Sequence, residues 1–178
     1  NIGTGNTERT ISDMMNLIRV CVVSGNVRRT AEIMFGDSKE FLELKNYKIN
    51  PDRGPYGWTS NNSLFAELGM DYTEAALQTS LNGEPGYEYL ENAKNYGRMC
   101  ENANYKDVKA LGGNPCLEQT LESGEVCNLV ETYPIHHDST DDYLRTLKFA
   151  YLYAKTITLV STHNEDTNDV MLRNRRIG

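Results

Sequence analysis

At 178 residues the chain has the length of one ordinary domain and enough sequence to bury a sizeable core. A formal net charge of −7 leaves no general basic surface for a nucleic-acid backbone, so anionic ligands would have to meet local arginines. No apolar run approaches the roughly 18 residues of a membrane span and no charged-then-apolar leader opens the chain; the expectation is a cytoplasmic protein with neither nucleic acid nor membrane as partner.

The first helix is signalled by Thr10, with Asp13 three residues on, as an N-terminal cap, followed by Ile11, Met14, Met15, Ile18, Cys21 and Val22 at helical spacing. Gly25 is placed to end it in the left-handed conformation. Asn26-Val27-Arg28-Arg29 then reads as a polar loop and residues 30–35 as a strand. Asp37 or Ser38 caps a short helix through Leu44, and the turn-rich Asn50-Pro51-Asp52-Arg53-Gly54-Pro55 is a loop. Residues 62–68 suit a second strand, and residues 72–81 and 86–99 carry helical patterns separated by Asn82-Gly83-Glu84-Pro85.

Residues 101–113 are polar and irregular. Residues 114–130 read as two extended pieces joined around Glu122-Ser123-Gly124-Glu125, a hairpin-like arrangement. Ser139 and Asp142 suit the start of a long helix with Tyr143, Leu147, Ala150, Tyr151 and Ala154 on its inner face, ending near Thr158. The alternation of helix and strand predicts an α/β fold with a parallel sheet or barrel wrapped by helices. Asn1 is not an initiator methionine, and Arg175-Arg176-Ile177-Gly178 reads as the lead into a further strand or loop, so a domain truncated at both ends is expected.

The cysteines at 21, 100, 116 and 127 lack the paired Cys-x-x-Cys spacing of a zinc site, and the rest of the chain does not read as a small disulfide scaffold. Cys21 falls on the apolar face of the first helix and is expected in the core, whereas Cys100 is structural or free. His136, His137 and His163 lack carboxylate partners at ligand-like spacing.

Proline at 115 biases Asn114 toward extended backbone, and an extended run would turn Asn114, Cys116 and Glu118 to one face. Two readings follow. Either Cys116 is a small buried hydrophobe beside an exposed glutamate, or the amide, thiol and carboxylate together address one small substrate.

The stretch Gly113-Asn114-Pro115-Cys116-Leu117-Glu118-Gln119-Thr120-Leu121-Glu122-Ser123, followed by Cys127-Asn128-Leu129-Val130-Glu131-Thr132, closely resembles the finger loop of the ribonucleotide reductases, in particular the cobalamin-dependent triphosphate reductases. The resemblance extends to residues 22–32, to Trp58-Thr59-Ser60-Asn61-Asn62-Ser63, to Gly83-Glu84-Pro85-Gly86 and to residues 170–178. It implies that residues 1–178 form the middle part of a ten-stranded α/β barrel, a partial catalytic domain with a central finger loop. It implies adenosylcobalamin as cofactor, bound largely outside this chain, and reduction of ribonucleoside triphosphates to 2′-deoxyribonucleoside triphosphates as DNA precursors.

By the same resemblance, Cys116 becomes the thiyl radical that abstracts the 3′ hydrogen of the ribose, Glu118 is the general base at the 3′ hydroxyl, and Asn114 holds the ribose hydroxyls. Cys127 is half of a redox-active dithiol whose other half lies upstream of residue 1, recharged by a thioredoxin-type reductant. Gly25, Asn26, Arg28 and Arg29 belong to a loop that couples a deoxyribonucleotide effector to substrate choice, where guanidinium groups suit phosphate or base edges. From the residues alone those arginines read as ordinary surface residues of a solvated turn, and the matching flanks bring the two readings level. A monomeric parent is implied. A catalytically inactive nucleotide-binding or regulatory remnant of the same fold is the alternative, against which stands the joint presence of Asn114, Cys116, Glu118 and Cys127.

Overall fold

The computed structural model describes residues 5, 7–26, 30–96 and 101–178. The chain divides into two compact units, residues 1–108 with 115–117, and residues 109–114 with 118–178.

In the first unit, helix α1 (Glu8–Val23) is capped by the Thr7 hydroxyl, which accepts from the backbone N–H of Thr10. Thr7, three residues upstream of the expected Thr10, therefore starts the helix. Ser24 closes it, and Asn26, at φ +53°, takes the left-handed turn expected of Gly25. The buried face of α1 is the reverse of the one its periodicity predicts: Ser12 and Asn16 are buried, whereas Ile11, Met14, Leu17, Ile18 and Val22 are 41–55% exposed. Cys21 is exposed as well, not a core residue.

The cause is Arg53, wholly buried, whose guanidinium donates to Asp13 Oδ1 (2.6 Å), Asn16 Oδ1 (3.0 Å) and the Leu44 carbonyl. A buried guanidinium must be paired and hydrogen-bonded, and α1 turns its polar stripe inward to supply the partners. Thr59 extends the set by donating to the carbonyl of Asn16.

Strands β1 (Glu32–Phe35), β2 (Ser60–Phe65) and β3 (Gly86–Glu88) form a parallel sheet in the order β1-β2-β3, with Ile33 beside Asn61 and Leu64 beside Tyr87. Helix α2 (Lys39–Glu43) lies between β1 and β2 in sequence, and α3 (Thr73–Asn82) between β2 and β3. Parallel neighbours require such crossovers. Ser38 caps α2, accepting from Phe41 N at 3.1 Å. The predicted loop at 50–55 contains a single 3-10 turn, Pro51–Arg53.

Phe41, Leu42, Leu44, Leu64, Ala66 and Ala75 make the core, with Met34, Met70, Tyr72 and Tyr87 packed against it. The rings of Phe35 and Phe65 stack at 4.3 Å across β1 and β2. One element differs from expectation here: Gly86–Glu88 is a strand, and only α4 (Leu90–Asn95) of the predicted 86–99 helix forms among the described residues. The edge of β2 captures that segment, with Ala66 N donating to the Glu88 carbonyl at 2.8 Å. Lys45 is buried against Glu84 at 3.1 Å and the Ser60 carbonyl. Burial pushes its ammonium below the usual lysine range, against the opposing pull of Glu84.

In the second unit, strands β4 (Gly112–Gly113) and β5 (Thr120–Leu121) pair antiparallel. Helix α5 (Thr140–Ile157) starts where expected, with Ser139 accepting from Asp142 N, and ends at Thr158. Of its expected inner face only Ala154 is buried; Leu147 and Tyr151 are exposed. Helix α6 (Glu165–Asn174), capped by Asn164, has no counterpart in the sequence reading. It ends at Arg175, φ +50°, whose guanidinium donates to Thr158 Oγ1 and to the Lys155 carbonyl. No helix among the described residues is long and apolar enough to cross a membrane.

Candidate active site

The Gly112-Gly113 pair leads into a tight hairpin closed by Asn114 and Gln119. Asn114 N donates to the Gln119 carbonyl at 2.9 Å, and the Asn114 side-chain carbonyl accepts from Gln119 N at 3.0 Å. One asparagine thus holds both backbone polar groups of the residue five positions on. Pro115 and Cys116 form the turn, and Leu117 follows at φ +62°.

A left-handed residue breaks the two-residue alternation of an extended chain. Asn114, Cys116 and Glu118 therefore do not line one face of a strand, contrary to the sequence expectation. The reversal predicted at 122–125 is present as a second bend, with Glu125 N donating to the Glu122 carbonyl and Gly124 at φ +76°. The hairpin turn itself falls at Pro115-Cys116.

Cys116 is exposed and carries a free thiol, which removes the reading of it as a buried small hydrophobe. Within the first unit, Asn61 of β2 donates its Nδ2–H to the Pro115 carbonyl at 2.6 Å, fixing the peptide that leads into Cys116. Glu118 is exposed.

Within the second unit, Asn114 and Cys127 meet: Asn114 Nδ2 donates to Cys127 Sγ at 3.4 Å, and the thiol donates to Gln119 Oε1 at 3.6 Å. Asn114 and Gln119 are both buried. Of the four proposed catalytic residues, then, two sit together at the hairpin base, and Cys116 rides on the turn it closes.

Residues to which sequence reasoning assigned no role secure this base. Arg173 and Asn174 hold Glu122 at 2.5 and 3.2 Å, and these hydrogen bonds, Arg173 first, keep its carboxyl below the usual carboxylate range. Arg176 donates to Glu125 at 3.0 Å, a carboxylate with 1% side-chain exposure, and to Thr120 Oγ1 at 3.1 Å. Gly178 pairs by backbone with Asn128 and Val130. A Cβ there would lie 2.6 Å from Leu129 Cδ2 and 2.9 Å from Gln119 Oε1, so only glycine fits without displacing its neighbours. The matching three-residue spacing of Glu122 and Glu125 and of Arg173 and Arg176 was the available signal, but the partners lie 51 positions apart.

Of the expected effector loop, Gly25 and Asn26 continue the end of α1, with Asn26 N donating to the Val23 carbonyl at 3.0 Å. Arg28 and Arg29 lie outside the described residues, as does Cys100.

No family model matches the chain. It is 61% identical over 180 residues to a probable adenosylcobalamin-dependent ribonucleoside-triphosphate reductase of Dictyostelium discoideum, a match covering 99% of this chain and 24% of that protein. It is 56% identical over 170 residues to the adenosylcobalamin-dependent ribonucleoside-triphosphate reductase of Euglena gracilis, covering 94% of this chain and 23% of the relative. The crystal structure of a B12-dependent, class II ribonucleotide reductase is similar with a TM-score of 0.78 at 30% identity, over 97% of this chain and 24% of that one. The chain spans about a quarter of the length of the relatives it matches.

Proposed function

Because this chain belongs to the adenosylcobalamin-dependent ribonucleoside-triphosphate reductases as a homologous segment, we propose that the full-length protein carrying it reduces ribonucleoside triphosphates to 2′-deoxyribonucleoside triphosphates by thiyl-radical chemistry. The observation that carries this reading is the free, exposed Cys116 thiol on a turn whose closing residue, Asn114, also contacts Cys127.

A sulfur suits the task because its S–H bond is weak enough to be broken and remade in each cycle. When bound, adenosylcobalamin supplies the radical that starts that cycle. The Cys116 side chain fits such a partner, being unburied and tethered through the Pro115 carbonyl.

The Cys116 thiyl removes the 3′ hydrogen of the ribose and later returns it. Glu118, exposed to meet a substrate, accepts the 3′ hydroxyl proton. Asn114 has spent its carbonyl on Gln119 and one amide hydrogen on Cys127, which leaves the second amide hydrogen for a ribose hydroxyl. The 2′ hydroxyl leaves as water. Cys127 and a cysteine upstream of residue 1 supply two electrons and two protons, becoming a disulfide that an external thioredoxin-type dithiol reduces.

In this reading the parallel sheet is part of a ten-stranded barrel, residues 113–123 with 127–132 make its finger loop, and Gly25, Asn26, Arg28 and Arg29 contribute to a deoxynucleotide effector site in a monomeric, cytoplasmic enzyme. The test is Cys116→Ser in the full-length protein, assayed for deoxynucleotide formation with adenosylcobalamin and a dithiol. Loss of multiple turnover with retained fold is expected, since an O–H bond is too strong for the cycle. Turnover at the wild-type rate would remove Cys116 from the mechanism.

A further inference from the structure

We propose that Gln119 is a positioning residue for Cys127: with Asn114 it forms a two-carboxamide cradle, built into the base of the Cys116 hairpin, that favours the reduced thiol. The inference rests on the role given above to Cys127 as half of a redox-active dithiol.

The two amides meet the sulfur from complementary sides. Asn114 Nδ2 donates to Sγ at 3.4 Å, and the Cys127 S–H donates to Gln119 Oε1 at 3.6 Å. A neutral thiol is one weak donor and one weak acceptor, and this arrangement matches both capacities.

Gln119 does not occupy its place for the comfort of its own amide. It is 4% exposed, and its Nε2 is buried without a hydrogen-bond partner, a situation that costs free energy an apolar side chain would not incur. Its backbone N–H and carbonyl are both held by Asn114, so the side chain cannot retreat without opening the hairpin. The glycine at 178 leaves the volume in which Gln119 Oε1 sits.

The redox consequence follows from hydrogen counting. When Cys127 and a second thiol form a disulfide, two thiol hydrogens leave as protons and two electrons pass to the nucleotide, whose 2′ hydroxyl departs as water. Cys127 then has no S–H to offer, and Gln119 Oε1 loses that donor inside the protein. The oxidised state therefore carries a penalty the reduced state does not, and the cradle drives Cys127 back toward the thiol.

The experiment equilibrates the full-length protein in dithiothreitol redox buffers and reads the Cys127 thiol fraction by alkylation and peptide mass mapping, with 3′ hydrogen exchange by Cys116 as a check that the hairpin is intact. Gln119→Met removes the acceptor and should move the equilibrium about tenfold toward disulfide, or roughly 30 mV more negative. Gln119→Glu keeps an acceptor and adds charge, and should move it toward the thiol. Hydrogen exchange should stay within about twofold of wild type in at least one of the two variants. Because a purely space-filling Gln119 would shift both variants in one direction or neither, either result overturns the proposal, as does loss of hydrogen exchange in both. A wild-type protein in which Cys127 forms no disulfide overturns the dithiol reading itself, and the inference with it.

Discussion

The carboxamide of Asn114 joins two sites that are eight residues apart, accepting from Gln119 N at 3.0 Å and donating to Cys127 Sγ at 3.4 Å. Asn114→Ala leaves Gln119 N without that acceptor, and a buried unsatisfied donor costs about 1–3 kcal/mol. The backbone amide of Gln119 should then exchange with deuterium markedly faster, while amides of the parallel sheet keep their protection. Unchanged exchange at Gln119 would show that the hairpin closes by other means.

Cys127→Ser separates the two sulfur roles. In the proposed mechanism hydrogen exchange at the ribose 3′ carbon runs through Cys116 and should persist in the full-length variant, whereas dithiol-driven multiple turnover should collapse because no disulfide can form. Sustained turnover with a thioredoxin-type reductant would make Cys127 a structural thiol.

Arg53 is the largest fully buried side chain among the described residues and binds Asp13, Asn16 and the Leu44 carbonyl. Arg53→Ala removes one partner of a buried pair and should cost about 3–5 kcal/mol in urea unfolding. Arg53→Met combined with Asp13→Leu, which removes both charges, should recover part of the loss. A cost below about 1 kcal/mol for Arg53→Ala would mean that water readily takes the place of the guanidinium.

Glu122 has a folded-state carboxyl held below its ordinary value by hydrogen bonds from Arg173 and Asn174. The contribution of a depressed carboxylate is fully present above the unfolded-state value and is lost as pH falls through the folded-state one. Thermal midpoints of the wild type should therefore decline on acidification below about pH 4.5 more steeply than those of Glu122→Gln. Parallel pH profiles would remove Glu122 from the acid response.

Local chemistry carried far in this sequence. Ser38 and Ser139 cap the helices they were expected to cap, and the alternation of β1, α2, β2 and α3 carries a parallel sheet as the pattern implies. Two errors have a common origin in distant partners. The face that α1 buries is decided by Arg53, about forty residues downstream, which outweighs the apolar periodicity. The turn at Pro115-Cys116 depends on Asn114 reaching Gln119 N. An Asn-Pro pair favours turns as readily as extended chain, so the proline alone could not choose between them. Gln119 was passed over because its significance lies in contact with Cys127, eight positions away, and no spacing rule links them.

The clasp on the hairpin base has a consequence for biosynthesis. Arg173 and Arg176 each follow the glutamate they hold by 51 residues, and Gly178 pairs with Asn128 and Val130. At roughly 5–20 residues per second, a ribosome needs about 3–10 s to make the residues that secure the hairpin after making the hairpin itself. During that interval β1, β2 and β3 already have one another to pair with, while Cys116 and Cys127 sit on an unfastened loop. On the nascent chain these thiols stay open to oxidation until the arrival of Arg176 and Gly178 ends that exposure for the hairpin base.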